Sequence, residues 1–544
     1  MPRTGDDRRM ESFDHIVIGA GSAGCAVAAR LSEDSARRVL LVEAGGSDRR
    51  LEARAPAAFP GLFHTSRDWD YRTEPEPGCD GRRLYQPRGK LVGGCSAMNA
   101  MLWVRGSNLD YDGWGIAGWS WDDVRPHFLR IEDHFLRDAD HGADGPVRIR
   151  RIDTPDPATT AFVESAVAAG IPRTEDLSGP ELDGVQVSAT TTSGGRRWST
   201  ARAYLDSARK RANLTVWTNA LVHRVVIRDG RAVAVDIERK GRLARVGSRS
   251  DIVLSAGAFN TPHLLQLSGV GPAEHLREIG IDVLVDSPAV GAHLMEHPMT
   301  FVNFELREPW LGLSDAERPK HILNWLLRGR GKLASNVGEA LAHVRTEDGL
   351  PAPDMQLVQG PVFFWEHGEG EHPRPAMMIA QSYWTPSSRG SVLVRSRDPR
   401  ELPAVRLNLL EERGDLEAIV RGVRLARRIA AQPPLRDMLA AEITPGEGVQ
   451  TDAQLEHWVR TTCQHTYHAS CSARMGEPGE GVLDPELRVH GVGNLRVADA
   501  SALPRITRAN TNAPAILFGE RCAAFIRGER ATSSGAARSA ALVS

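Results

Sequence analysis

A chain of 544 residues is too long for a peptide or a disulfide-stapled scaffold and, at roughly 150 residues per domain, has room for two to four domains. Its 67 basic and 69 acidic residues leave a net charge of −2, so the composition carries no electrostatic footprint for nucleic acid or an anionic membrane. The 41% apolar fraction suits a soluble protein with a large core, while 52 glycines and 33 prolines point to many tight turns and close backbone approaches.

Residues 1–12 read as a flexible leader, with charge but no apolar core of a secretory signal, which gives a cytoplasmic expectation. The weakly polar run Ile16 to Ala29 is 14 residues long with three glycines, too short for a membrane span, so no transmembrane segment is expected. It reads instead as strand His15–Ile18, a glycine turn and a small-residue helix Ala23–Leu31, followed by strand Val39–Val42. Residues 47–95 read as loops, and a short helix is predicted after Ser120. Strands are predicted at Leu214–Trp217, Leu221–Ile227, Ala232–Glu238 and Asp251–Ser255, with Asp229-Gly230 as a hairpin turn. A helix ending near Ser268 and a second short helix follow. Residues 300–455 mix strands such as Gly390–Arg395 with helices such as Glu417–Ala430, and the tail from Gly528 reads as disordered. The six scattered cysteines form neither a CxxC pair nor a zinc spacing, so no metal is predicted.

The first functional signal is Gly19-Ala-Gly21-Ser-Ala-Gly24, placed after a strand and opening a helix. Gly19 permits the tight turn, Gly21 lets the backbone approach a pyrophosphate, and Gly24 lets helix and strand pack closely. The helix N-terminus presents N–H groups to the anion. Glu43, 19 residues beyond Gly24, can accept from a ribose hydroxyl and would repel a 2′-phosphate, which disfavours NADP. A ligand-free strand–helix turn would use the same glycines, and the motif alone does not separate FAD from NAD. Its position near the start of so long a chain leans toward FAD.

Further motifs lie at Arg88-Gly-Lys-Leu-Val-Gly93-Gly94-Cys95-Ser96-Ala-Met98-Asn99, at Ser255-Ala256-Gly257 through Pro272, at Tyr467-His468 through Gly476, and at Asp499 through Asn512. Together they resemble the glucose–methanol–choline (GMC) family of FAD-dependent oxidoreductases over residues 14 to about 526. The resemblance implies a two-domain α/β (α+β) fold. A Rossmann-like FAD-binding domain (13–155, 212–300 and 460–527) would be interleaved with a substrate domain (156–211 and 301–459) built on an antiparallel or mixed sheet flanked by helices, between tails 1–12 and 528–544. It implies FAD contacts from Gly19, Gly21, Ser22, Gly24, Glu43, Ala44, Arg88, Gly93, Gly94, Ser96, Asn99, Met101, Val222, Ala256, Gly257, Asp499, Ala500, Asn510 and Thr511. Members that attach FAD covalently use a histidine where this chain has Met98, so noncovalent FAD is expected.

Matching the family motif makes His468 the catalytic histidine and Asn510 its partner. Oxidising an alcohol removes a hydroxyl proton and transfers hydride from carbon to flavin N5. A neutral imidazole can accept the proton, whereas an amide can only hold the oxygen. His465 reads as loop support or a solvent-facing residue, and His297, in the segment Gly291 to Pro298, as structural or near the flavin. Where the family commonly has Pro-x-Gly-Thr-Cys-Lys, this chain has Ala469, Cys471, Ser472, Ala473 and Arg474. Cys471 is either a small buried thiol or a change in the pocket. Phe363, Phe364, Trp365, Tyr383 and Trp384 are pocket candidates for an aromatic or aliphatic alcohol, with ordinary core the alternative.

The resulting expectation is an FAD-dependent alcohol oxidase or dehydrogenase acting on a small-molecule alcohol, with dioxygen or a quinone or other redox carrier as acceptor. Choline is disfavoured because no carboxylate can be assigned to a quaternary-ammonium cage. The alternatives are a non-redox flavoenzyme on the same scaffold, such as a lyase or decarboxylase, and an accessory dehydrogenase serving a dedicated carrier.

Overall fold

In a computed structural model of the chain, residues 10–179 and 181–529 are described. The predicted leader therefore lies partly outside the described residues, at 1–9, as does the predicted tail from 530. The leader's end is regular: Ser12–Phe13 pairs in parallel with Gly247–Ser248, which overturns that part of the expectation.

The first layer is a parallel sheet in the order Leu214–Trp217, Val39–Val42, His15–Ile18, Ile252–Leu254, Leu495–Val497. Its three middle strands are buried at every residue, as apolar runs covered on both faces must be. Helices Ser22–Leu31 and Asn512–Ile526 cross on this sheet with glycine and alanine between them. A Cβ on Gly519 would stand 2.5 Å from the Ala23 carbonyl oxygen, so only glycine permits this approach. Beside the sheet, strands Ala220–Arg228 and Arg231–Arg239 turn at Asp229 and Gly230, both with positive φ, the hairpin that the Asp-Gly pair predicts. A third strand, Arg242–Ser248, escaped the sequence reading because its Arg/Leu/Ala/Arg start is exposed and lacks a clean apolar alternation.

The second layer is antiparallel, in the order Leu439–Thr444, Pro298–Leu306, Ala376–Tyr383, Met355–Gly360, Ala340–Val344, Gly184–Val187. Gln464–His465 pairs with the start of Pro298–Leu306. All residues of Pro298–Leu306 are buried, because one face meets helix Arg413–Ala430 and the other faces the parallel layer. That helix starts four residues before the predicted Glu417. The register puts two rows on the inward face: His343, Gln356, Ser382 and Met299, then Leu341, Val358, Ala380 and Phe301. Among the described residues, no helix is long and apolar enough to cross a membrane.

Candidate active site

A cavity of about 320 Å³ runs between the two layers, from the glycine turn after His15–Ile18 to the inward face of the antiparallel sheet. Most of the predicted cofactor residues line it: Gly19, Gly21, Ser22, Glu43, Ala44, Arg88, Gly94, Asn99, Met101, Val222, Ala256, Gly257, Asp499, Ala500, Asn510 and Thr511, together with His468.

Gly24, Gly93 and Ser96 are not among the residues lining the cavity and stand in the structure behind those that do. A Cβ on Gly24 would fall 1.9 Å from the Gly19 carbonyl oxygen, so this glycine lets helix and strand pack closely. Gly93 takes φ +94 and donates its N–H to Ala20 O, holding its loop against the first turn. The Ser96 hydroxyl donates to Gly93 O at 2.6 Å and shares a hydrogen bond with Thr200 at 2.8 Å, turned away from the cavity. Behind this loop the buried Arg197 donates to Ser96 O and Asn99 Oδ1, and burial without a counter-ion pushes its guanidinium down to about 9.

The wall at the glycine end fits a dinucleotide. Helix Ser22–Leu31 has neither a side-chain cap nor an acidic residue in its first turn, so its leading N–H groups remain available to an anion. Gly21 meets only Ser255 O, at 3.9 Å, and Gly257, at φ +86, has nothing within 4 Å of a built Cβ, so backbone faces the cavity at both places. Glu43 accepts from Ala20 N at 2.9 Å and Gly45 N at 2.8 Å, which fixes its carboxylate at the end of Val39–Val42; burial pushes its pKa up to about 7. The Asp499 carboxylate receives Gly257 N and the Thr261 hydroxyl, tying the loop after Leu495–Val497 to helix Gly257–Leu267.

At the other end stand His468 and Asn510. Asn510 Nδ2 donates toward His468 Nε2 at 3.3 Å, and His468 Nδ1 meets His297 Nδ1 at 3.0 Å. Burial, then the Arg88 cation, push the His468 imidazole down to about 3, so it is neutral near pH 7. Its backbone N–H donates to Glu296 Oε1 at 2.7 Å. Burial raises Glu296 to about 7 against the pull of Arg88, whose Nη2 lies 3.5 Å from Glu296 Oε2.

Asn510 is oriented by the antiparallel sheet. Gln356 Nε2 donates to Asn510 Oδ1 and to His343 Nε2, each at 3.1 Å. His343, pushed down to about 3 by burial, is a neutral acceptor, so the chain fixes which way both amides point. Glu296, Gln356 and His343 escaped the sequence reading: Glu296 lies within the Gly291–Pro298 segment, where only His297 was singled out, while Gln356 and His343 are far from the motif and are brought to it by the register of the antiparallel sheet.

His465 supports the loop: its Nε2 meets Tyr85 O at 2.7 Å and its Nδ1 accepts Tyr467 N. Of the five aromatic pocket candidates only Phe364 lines the cavity. Trp384 is buried against His343, while Phe363, Trp365 and Tyr383 lie outside the lining. The apolar wall comes instead from Phe59, Phe63, Met299, Phe301, Val358 and Met378. Cys471 is buried at φ +70 outside the cavity lining, with its thiol pushed up to about 12 by burial, so the small-buried-thiol reading holds.

Known proteins share this organisation. Two family models described as GMC oxidoreductase match residues 13–299 and 386–519. An uncharacterized GMC-type oxidoreductase of Mycobacterium tuberculosis is 42% identical over 525 residues, covering 94% of this chain and 99% of the relative. An oxygen-dependent choline dehydrogenase of Rhizobium etli is 40% identical over 534 residues, covering 95% and 96%. The crystal structure of pyridoxine 4-oxidase from Mesorbium loti superposes with a TM-score of 0.87 at 30% identity, covering 95% of this chain and all of that one.

Proposed function

The chain belongs to the GMC oxidoreductase family of FAD-dependent enzymes, and from that premise we propose that it oxidises the CH–OH group of an uncharged, apolar primary alcohol to the aldehyde. The observation that carries this reading is the 3.3 Å separation of His468 Nε2 and Asn510 Nδ2 at the end of a cavity whose facing wall is apolar.

FAD supplies the hydride acceptor when bound, held by the residues of the glycine end. An alcohol oxygen placed between His468 and Asn510 is within reach of a proton acceptor and an amide donor. Neutral His468 takes the hydroxyl proton on Nε2, and Asn510 Nδ2–H holds the oxygen as negative charge develops on it. Phe301, Phe364, Met299 and Met378 exclude water around the reacting carbon. Among the described residues the lining carboxylates are Glu43 and Asp499, both on the glycine side and engaged with backbone N–H groups. Among the described residues no carboxylate lies on the apolar wall to pair with a quaternary ammonium, so choline is disfavoured as substrate despite the named relative. Met98 lines the cavity at the attachment position, and its thioether supports noncovalent FAD.

We assign residues 13–155, 212–300 and 460–527 to the cofactor part and 156–211 with 301–459 to the cap. The five parallel strands fall in the first set and most of the antiparallel sheet in the second, with Pro298–Leu306 and Gln464–His465 carrying that sheet across the boundary. The acceptor is dioxygen or a quinone-type carrier.

Anaerobic mixing of the holoenzyme with aliphatic and aromatic primary alcohols, and with choline, tests the proposal. Bleaching of the flavin by the apolar alcohols but not by choline is expected; no bleaching across the panel would favour a non-redox reaction, and bleaching by choline would overturn the apolar assignment. Prompt recovery on admitting oxygen, with peroxide formed, identifies an oxidase; recovery only with an added quinone identifies a dehydrogenase.

A further inference from the structure

Large apolar side chains are left exposed together at one place. Trp310 is 58% exposed, Leu323 56%, Leu326 50% and Leu327 75%. The three leucines share helix Pro319–Arg328 at positions i, i+3 and i+4, which is one helix face. Trp325 takes the other face: it is buried, its Nε1–H donates to Gly195 O at 2.8 Å, and the Arg196 guanidinium lies 4.5 Å from its ring centre. Trp325 packs with Ala55 and Leu333 and, at their edge, with Ala57 and Ala58 of the turn Pro56–Leu62, whose Phe59 lines the cavity. The helix is thus anchored to the cavity wall by one face and presents leucines outward on the other.

Cations frame the leucine face. Residues 307–332 hold Arg307, Arg318, Lys320, Arg328, Arg330 and Lys332 against Glu308, Asp315 and Glu317, so six minus three gives a local +3 in a chain of −2. Lys320 precedes Leu323 by one turn, and Arg328 with Arg330 closes the other end. Lys332 Nζ reaches Trp310 O at 3.3 Å and Asp315 Oδ1 at 2.5 Å, joining the Trp310 loop to the helix start, where His321 also meets Asp315. A second copy packed on this face about a two-fold axis would set two +3 segments against each other. An anionic bilayer matches both the leucines and their cationic rim.

We propose that helix Pro319–Arg328 docks the protein on anionic phospholipid bilayers, with Leu323, Leu326 and Leu327 at the headgroup boundary and the Phe59 wall of the cavity one layer inward. The proposal stands on the surface alone and does not depend on the alcohol assigned above.

Co-sedimentation of the holoenzyme with vesicles of phosphatidylcholine, and of phosphatidylcholine mixed with phosphatidylglycerol, tests it. Binding to the phosphatidylglycerol vesicles is expected, weakening at high salt as screening demands. The double variant Leu326→Glu/Leu327→Glu should lose about tenfold or more of that binding, and Arg328→Glu/Arg330→Glu should lose its preference for the anionic lipid. Flavin content and alcohol-driven bleaching in solution should be unchanged in both, which separates loss of docking from loss of fold. No binding to phosphatidylglycerol vesicles overturns the proposal. So does equal binding to both vesicle types, or a dimer in solution that the leucine substitutions dissociate while lipid binding is absent.

Discussion

At the scale of single residues, burial sets the protonation states. With its imidazole pushed down to about 3, His468 is neutral at every pH above that value, so a ring nitrogen stays unprotonated through the mildly acidic range. Glu296, raised to about 7, is the group that titrates near neutrality. As pH falls through 7 it gains a proton, and the carboxylate charge that receives the His468 backbone N–H and offsets Arg88 is lost. The rate of flavin reduction should therefore drop as pH falls through about 7, and Glu296→Gln should remove that step and leave a flat profile down to about pH 5. A step near 6.5 that persists in the variant would assign the titration to His468 instead. His468→Ala should lower the rate of flavin reduction by roughly 10² or more. Gln356 is a positioning residue, because it touches Asn510 rather than the reacting atoms. Gln356→Leu frees the Asn510 amide to rotate and should slow flavin reduction by roughly ten- to a hundredfold with FAD content unchanged, whereas Gln356→Glu, which keeps an acceptor but loses the donor to Asn510 Oδ1, should not restore it.

At the scale of elements, the strand–turn–helix at the start was legible nearly to the residue, because its signals are local. Four buried residues, three of them apolar, a glycine whose φ is +98 and a small-residue helix permit few other structures. The capped helix Trp121–Ile131 was legible for the same reason: the Ser120 hydroxyl and the Asp123 carboxylate form a reciprocal capping box. None of the strands of the antiparallel sheet was placed individually from the sequence, since burial on both faces removes the apolar–polar alternation that marks a strand. Gly24→Ala tests the packing role read from both sequence and structure. Its methyl would collide with the Gly19 carbonyl, so the variant should lose about 3 kcal/mol of stability and much of its FAD, read by thermal unfolding and the protein-bound flavin absorbance. Gly81→Ala, at φ +71 with open space around it, should cost only backbone strain of about 1 kcal/mol and retain the flavin.

At the scale of the whole molecule, the cavity is shared: its glycine end belongs to the parallel layer, and its apolar wall to the antiparallel layer together with Phe59 and Phe63 at the turn Pro56–Leu62. FAD bound there should stabilise both layers as one unit. At a free concentration near a hundred times its dissociation constant it should add about 2.7 kcal/mol, raising the unfolding midpoint seen by flavin fluorescence and by circular dichroism together. Two transitions, only one of them shifted by FAD, would show that the layers unfold separately. Acid precipitation should release the yellow chromophore into the supernatant, since Met98 offers no attachment nucleophile; colour retained on the pellet would contradict noncovalent binding.

The dinucleotide turn and the family were legible in the chain, and the family resemblance implied the pairing of His468 with Asn510, because each rests on residues close in the chain or on motifs in a fixed order. Folding settled which aromatic residues wall the cavity, that Gln356 and His343 orient Asn510, and that Leu323, Leu326 and Leu327 stay exposed while Trp325 of the same helix is buried. The physical reason is range. Turn geometry and helix capping act over a few residues and leave a local signature, whereas a cavity wall is set by strand register between segments tens to hundreds of residues apart, where a shift of one residue would turn Phe301 and Gln356 to the opposite face.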